Sequence, residues 1–171
     1  LETKDCLKIS YLNVMSLWAH LDDVKQSSRL MSSTVLGLGE TWMDPGAAVD
    51  LPNFSHVTYE NVGGRRGLAA FSKEPAHVMQ SSFDGASGIK LDINGIHIIF
   101  LYLSHKPEAT KYWTEVIQLL NNWISYGTPT IIMGDMSWHF DHDSTHPMKL
   151  LLEGKGFHQM VDRATHDQGN C

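Results

Sequence analysis

The dipeptide Asn94-Gly95, set between Ile89–Ile93 and Ile96–Tyr102, constrains this chain more than any other local feature. Both residues tolerate positive φ, which a two-residue hairpin matching the natural strand twist requires. Two apolar runs joined this way lie antiparallel, which counts against a purely parallel, doubly wound sheet. Lys8–Val14, Val35–Leu38, Gly67–Ser72 and Thr130–Met133 also read as buried strands, and Phe157–Val161 as a last one. Helical spacing appears between them. Ser16 is a good N-cap ahead of Leu17, Leu21 and Val24, and Glu108–Tyr126 carries Val116, Ile117, Leu120 and Ile124 on one face. Pro147 suits the start of a helix running to about Gly154. Hairpins interleaved with helices predict a mixed α/β sandwich, its sheets packed face to face with helices outside.

At 171 residues with 42% hydrophobic content, the chain is expected to form one domain over 1–171. The first residue, Leu1, suggests a piece excised from something longer. No apolar run approaches the roughly 20 residues of a membrane helix, so no membrane partner is expected. Cys6 and Cys171 lie at opposite ends without any C-x-x-C spacing, which reads as two free thiols in a reducing compartment. An intracellular location, nuclear or cytoplasmic, follows as the expectation. The formal charge of -6 argues against a tight, processive grip on a long duplex. It leaves a nuclease open, because carboxylates that hold a metal count on the negative side.

Three polar residues fall just beyond apolar runs: Asn13, Glu40 and Asp135. Oxygen donors at the ends of core strands suit a hard divalent cation, which keeps part of its water shell and completes its octahedron with a substrate phosphate. Each has a plainer reading. Glu40 could be a solvated loop carboxylate, Asp135 a turn or N-cap residue, and Asn13 a partner for a backbone turn. Tyr102 could be a core residue with a wet hydroxyl, and Arg65 and Arg66 could clamp phosphate or simply cover surface. His139, Asp141, His142, Asp143 and His146 crowd one segment, but their spacing fits no fixed metal template and reads as a polar loop.

Taken together, these motifs resemble the endonuclease/exonuclease/phosphatase superfamily, with its DNase I-like fold. Leu12-Asn13-Val14 is similar to that family's first motif and Leu38-Gly39-Glu40-Thr41-Trp42 to its second, whose glutamate is the principal metal ligand. Gly63 through Phe71 resembles its glycine-rich run, Ile99–Tyr102 the strand whose tyrosine contacts the scissile phosphate, and Ile131–Asp135 the strand presenting the catalytic aspartate. Thr165–Asn170 resembles the T-H-x-x-G segment, in the form most like Helitron-type mobile elements. The resemblance implies a DNase I-like sandwich of two mixed β-sheets flanked by helices, with the C-terminal strands absent and the domain truncated there. It implies Mg²⁺- or Mn²⁺-dependent phosphodiester hydrolysis, with DNA as the ancestral substrate. Glu40 and Asn13 would hold metal; Asn13, Arg65 and Arg66 would bind phosphate; Asp135, Tyr102 and Ser137 would serve catalysis. Ser137 stands where the family has asparagine, and losing one such donor typically costs on the order of a hundredfold in rate. Weak or absent activity is therefore expected of this fragment. Two alternatives stay open: a dead fold that binds a protein partner along an open sheet edge, and a phosphatase of the same superfamily.

Overall fold

The computed structural model describes residues 6–83, 85–104, 110–136 and 145–161. Eight strands form two mixed sheets. The first has the order β1 (Ile9–Asn13), β2 (Val35–Gly39), β4 (Leu68–Ser72), β3 (His56–Glu60). The second runs β5 (His77–Phe83), β6 (Ala86–Ile93), β7 (Ile96–Leu103), β8 (Thr130–Asp135). Each sheet holds one parallel pair at an edge: β1 with β2, and β7 with β8. Helices make both crossovers, α1 (Leu17–Gln26) and α2 (Ser28–Met31) in the first, α3 (Thr110–Trp123) in the second. The hairpin forms as expected, with Ile93 opposite Ile96 and positive φ at Asn94 (53°) and Gly95 (79°).

Strand alternation sorts the apolar side chains into three layers. On β7, Ile98 and Phe100 enter the core between the sheets, while Ile99, Leu101 and Leu103 pack with Val116 and Leu120 of α3. On β2, Leu36 and Leu38 turn outward to Leu17 and Val24 of α1, whereas Val35 faces inward. Gly37 also lies on that inner face, and a side chain there would meet the Phe100 ring at 2.5 Å. Lys90 on β6 is buried and donates from Nζ to the Trp123 carbonyl at the end of α3 (2.8 Å). That contact supplies a cation to a helix terminus whose own last turn has no basic residue.

Two strands, β3 and β5, were not legible in the sequence. One expected strand is absent: Phe157–Val161 is irregular, with Met160 and Val161 exposed, because no neighbouring strand pairs with it. The helix expected after Pro147 forms as α4 (Pro147–Gly154). Among the described residues no helix is long and apolar enough to cross a membrane. The outer edges of β1 and β8 have no paired neighbour there, and Leu12 and Ile131 on them are exposed.

Gly37→Ala should destabilise the chain by about 1–3 kcal/mol, the usual cost of overpacking a closed core. Urea unfolding would measure it, and an unchanged midpoint would contradict the close approach of Phe100.

Candidate active site

The carboxyl ends of β1, β2, β7 and β8 meet at one rim of the gap between the sheets. Asn13 shares the inner face of β1 with Ile9 and Tyr11, and Tyr102 shares that of β7 with Phe100. Asp135 lies opposite Tyr102 in the β7–β8 register. Simple alternation would send Glu40 outward with Leu38. Instead its φ of 50° breaks the alternation.

The loops beyond the strands are stitched together by backbone bonds. Val14, Ser16 and Leu17 donate to the carbonyls of Gly39, Glu40 and Thr41, each at 2.9 Å. Trp42 donates to Arg66 at 2.9 Å and Thr41 to Gly67 at 3.4 Å. Gly67 (φ 114°) must be glycine, since any side chain there would strike Thr41 Oγ1. Four of the six non-glycine residues with positive φ among the described residues fall in these loops: Met15, Ser16, Glu40 and Trp42. Such conformations cost about 1–3 kcal/mol each and persist where the surroundings over-determine them.

One carboxamide organises the centre. Asn13 Nδ2 donates to Glu40 Oε1 at 3.1 Å and to Asp135 Oδ2 at 2.8 Å, while its Oδ1 accepts from the Met15 backbone N–H at 3.2 Å. The three residues picked out as strand-end donors thus converge. The amide's two protons orient the acids, and its oxygen, holding one bond from Met15, keeps a second lone pair. Tyr102 points its hydroxyl at Glu40. Burial, then the negative charges of Glu40 and Asp135, push this phenol up to about 12, with Arg66 pulling the other way.

The two arginines separate. Arg66 lies near enough to Tyr102 to influence it, whereas Arg65 stacks over the Trp42 ring, 5.4 Å from its centroid. Ser137, His139, Asp141, His142 and Asp143 lie outside the described residues, as does Thr165–Asn170. His146 is a structural residue: buried, edge-on to Trp113, and capping α4 through Nδ1, which accepts from Met148 N at 3.2 Å. Sequence reasoning missed Tyr11, whose hydroxyl is buried over Gly39 and feels both carboxylates. Its place two residues before Asn13 on one strand face was the available signal.

Among the described residues no cluster of three or more His, Cys, Asp or Glu forms a ready cage for a metal. Two carboxylates bridged at one rim are nonetheless oxygen donors of the kind a hard cation such as Mg²⁺ accepts.

Solved structures with a similar fold are known. An AP endonuclease from Archaeoglobus fulgidus matches with a TM-score of 0.59 and 25% identity, over 77% of this chain and 57% of its own. A 3'-5' exonuclease from Neisseria meningitidis matches at 0.56 and 20%, over 75% and 57%. This chain has a DNase I-like fold. The endonuclease domain of TRAS1, a telomere-specific non-LTR retrotransposon, shares it at 0.57 and 12%, over 88% of this chain and 73% of that one. The chain therefore spans little more than half the length of the first two structures. No family profile and no curated protein matches the sequence.

Tyr102 gives stability a definite alkaline sign. An unfolded phenol loses its proton near pH 10.0 and this folded one near 12. Between those values the native state binds more protons, so the contribution is complete below pH 10 and disappears as pH climbs through 12. Tyr102→Phe should flatten this decline in urea midpoints measured across that window, and parallel curves for the two proteins would refute the assignment. Asn13→Ala should cost about 1–3 kcal/mol near neutral pH, since both acids lose a shared donor. Urea unfolding would measure it, and an unchanged midpoint would show that the bridge adds nothing to the fold.

Proposed function

We propose that this chain carries a divalent-metal-dependent phosphodiester hydrolase site that acts on DNA. The observation that carries the reading is the bridging of Glu40 and Asp135, from different sheets, by the single Asn13 amide. The similar solved structures, an AP endonuclease, a 3'-5' exonuclease and a retrotransposon endonuclease, support the substrate class. Glu40, with Asp135 beside it, would hold Mg²⁺ or Mn²⁺. Such an ion, when bound, neutralises charge on the phosphate and orients it for in-line attack.

The chain's own groups do the rest. Asp135 accepts a proton from the attacking water or returns one to the leaving oxygen as the ester bond breaks. Tyr102, held protonated by its surroundings, donates its hydroxyl hydrogen to a non-bridging phosphate oxygen. Arg66 adds positive charge on the same side. Asn13 keeps the two acids at a fixed separation. Ser137 and the motif carrying the Helitron likeness lie outside the described residues, so the mobile-element origin rests on sequence resemblance.

A second reading is favoured by the β1 and β8 edges, unpaired among the described residues, with exposed Leu12 and Ile131: a DNase I-like module that binds a protein along those edges. A phosphatase action on small esters would share the same central groups, and a substrate panel separates it from DNA cleavage.

Mg²⁺ or Mn²⁺ should raise the melting temperature of the wild-type chain by linkage and support plasmid nicking that chelation abolishes. Glu40→Gln should remove the thermal shift, and Glu40→Gln and Asp135→Asn should each lower nicking on the order of a hundredfold or more. Equal nicking by wild type and Asp135→Asn would sink the catalytic reading.

A further inference from the structure

We propose that Arg65, held over the ring of Trp42, is a nucleic-acid contact beside the acids: it takes a backbone phosphate flanking the one that reacts, and Trp42 is the residue that positions it. The inference rests on the hydrolase reading for its substrate, but its main test reads binding without cleavage.

The chain carries 19 acidic side chains against 13 lysines and arginines, a net charge of -6. A guanidinium in such a chain has acids to choose from. Arg65 nevertheless makes no ion pair and no hydrogen bond among the described residues, and it is exposed. What holds it is the Trp42 ring, 5.4 Å from the guanidinium carbon to the centroid. A cation held over a ring keeps its five N–H donors for another partner. Carboxylate and phosphate match that fork, and no carboxylate among the described residues takes it. The partner that fits is an anion arriving from solvent.

Trp42 sits where its own stability would not put it. Its φ of 53° is left-handed, and its indole Nε1 is buried without an acceptor. The bond from Trp42 N to Arg66 O (2.9 Å), with Thr41 N to Gly67 O beside it, ties this residue to the loop that carries Arg65. Two positions before Trp42 is Glu40, which Asn13 bridges to Asp135. Two residues span at most about 7 Å between Cα atoms, about two nucleotide rises along one strand of a duplex. The stacked pair therefore stands next to the acids without joining them, where a strand entering the site would pass.

Fluorescence anisotropy of a labelled DNA duplex, with EDTA present and NaCl varied, tests this directly. Arg65→Ala should weaken binding about fivefold to tenfold and lower the slope of log affinity against log salt by about 1, the mark of one lost phosphate contact. Arg65→Lys should keep the slope but lose part of the affinity, because the fork is gone. Trp42→Leu should weaken binding although it removes no charge, and adding Arg65→Ala to it should leave binding no weaker than in Arg65→Ala alone. In Mg²⁺-dependent nicking, Arg65→Ala should raise KM by a similar factor, with kcat held within about twofold. Unchanged affinity and slope in Arg65→Ala would overturn the inference, as would additive losses in the double variant or a wild type that binds no duplex. A wild type that binds the duplex with Mg²⁺ but never nicks it refutes the hydrolase reading alone, and the salt slope still decides the role of Arg65.

Discussion

A single carboxamide stands between two carboxylates that would otherwise repel across the gap between sheets. Both protons of Asn13 Nδ2 answer that repulsion, one for each acid, and its oxygen is held by the Met15 N–H. The rest of the rim is arranged so that this bridge can form. The parallel pairs β1–β2 and β7–β8 bring four strand ends together. The helical crossovers are what a parallel neighbour requires, since a tight turn can only reverse the chain.

Local conformation is spent at the same place. Asn53 and Asn94, the other two non-glycine residues with positive φ, are of the type that enters that region at little cost. Glu40 and Trp42 are not. They are held there by the Ser16 and Arg66 backbone bonds and by the close fit of Gly67 under Thr41. Three of the six buried polar groups without a partner among the described residues lie nearby: the Tyr11 hydroxyl, Thr41 Oγ1 and Trp42 Nε1. Positive-φ backbone concentrated at this rim marks a site built for something other than stability.

The strands of the buried interior were legible because their apolar content and the Asn94-Gly95 turn are local signals. β3 and β5 were not, for a physical reason. His77–Phe83 is an exposed edge strand, mostly polar, that borrows its structure from β6 and so carries no hydrophobic period of its own. Phe157–Val161 shows the converse: apolar residues do not make a strand without a partner. At the site, Asn13, Glu40, Tyr102 and Asp135 could be picked out by their position after apolar runs. What the chain order could not reveal was that Asn13 uses its oxygen locally, or that Arg65 and Arg66 part company toward Trp42 and Tyr102.

Because Asn13 and Glu40 come from one sheet and Tyr102 and Asp135 from the other, the packing between sheets also sets the chemistry. Phe100 lies against Gly37 and stacks with Tyr11, so the aromatic pair at the core's end is the spacer nearest the acids. Protein interiors are close-packed and resist small changes in volume. A methyl group added at β2 would therefore act on the carboxylate separation through Phe100 and Tyr11 as well as on stability. The glycines of Val35-Leu36-Gly37-Leu38-Gly39 consequently belong to the site as much as Glu40 does, although neither can touch a substrate.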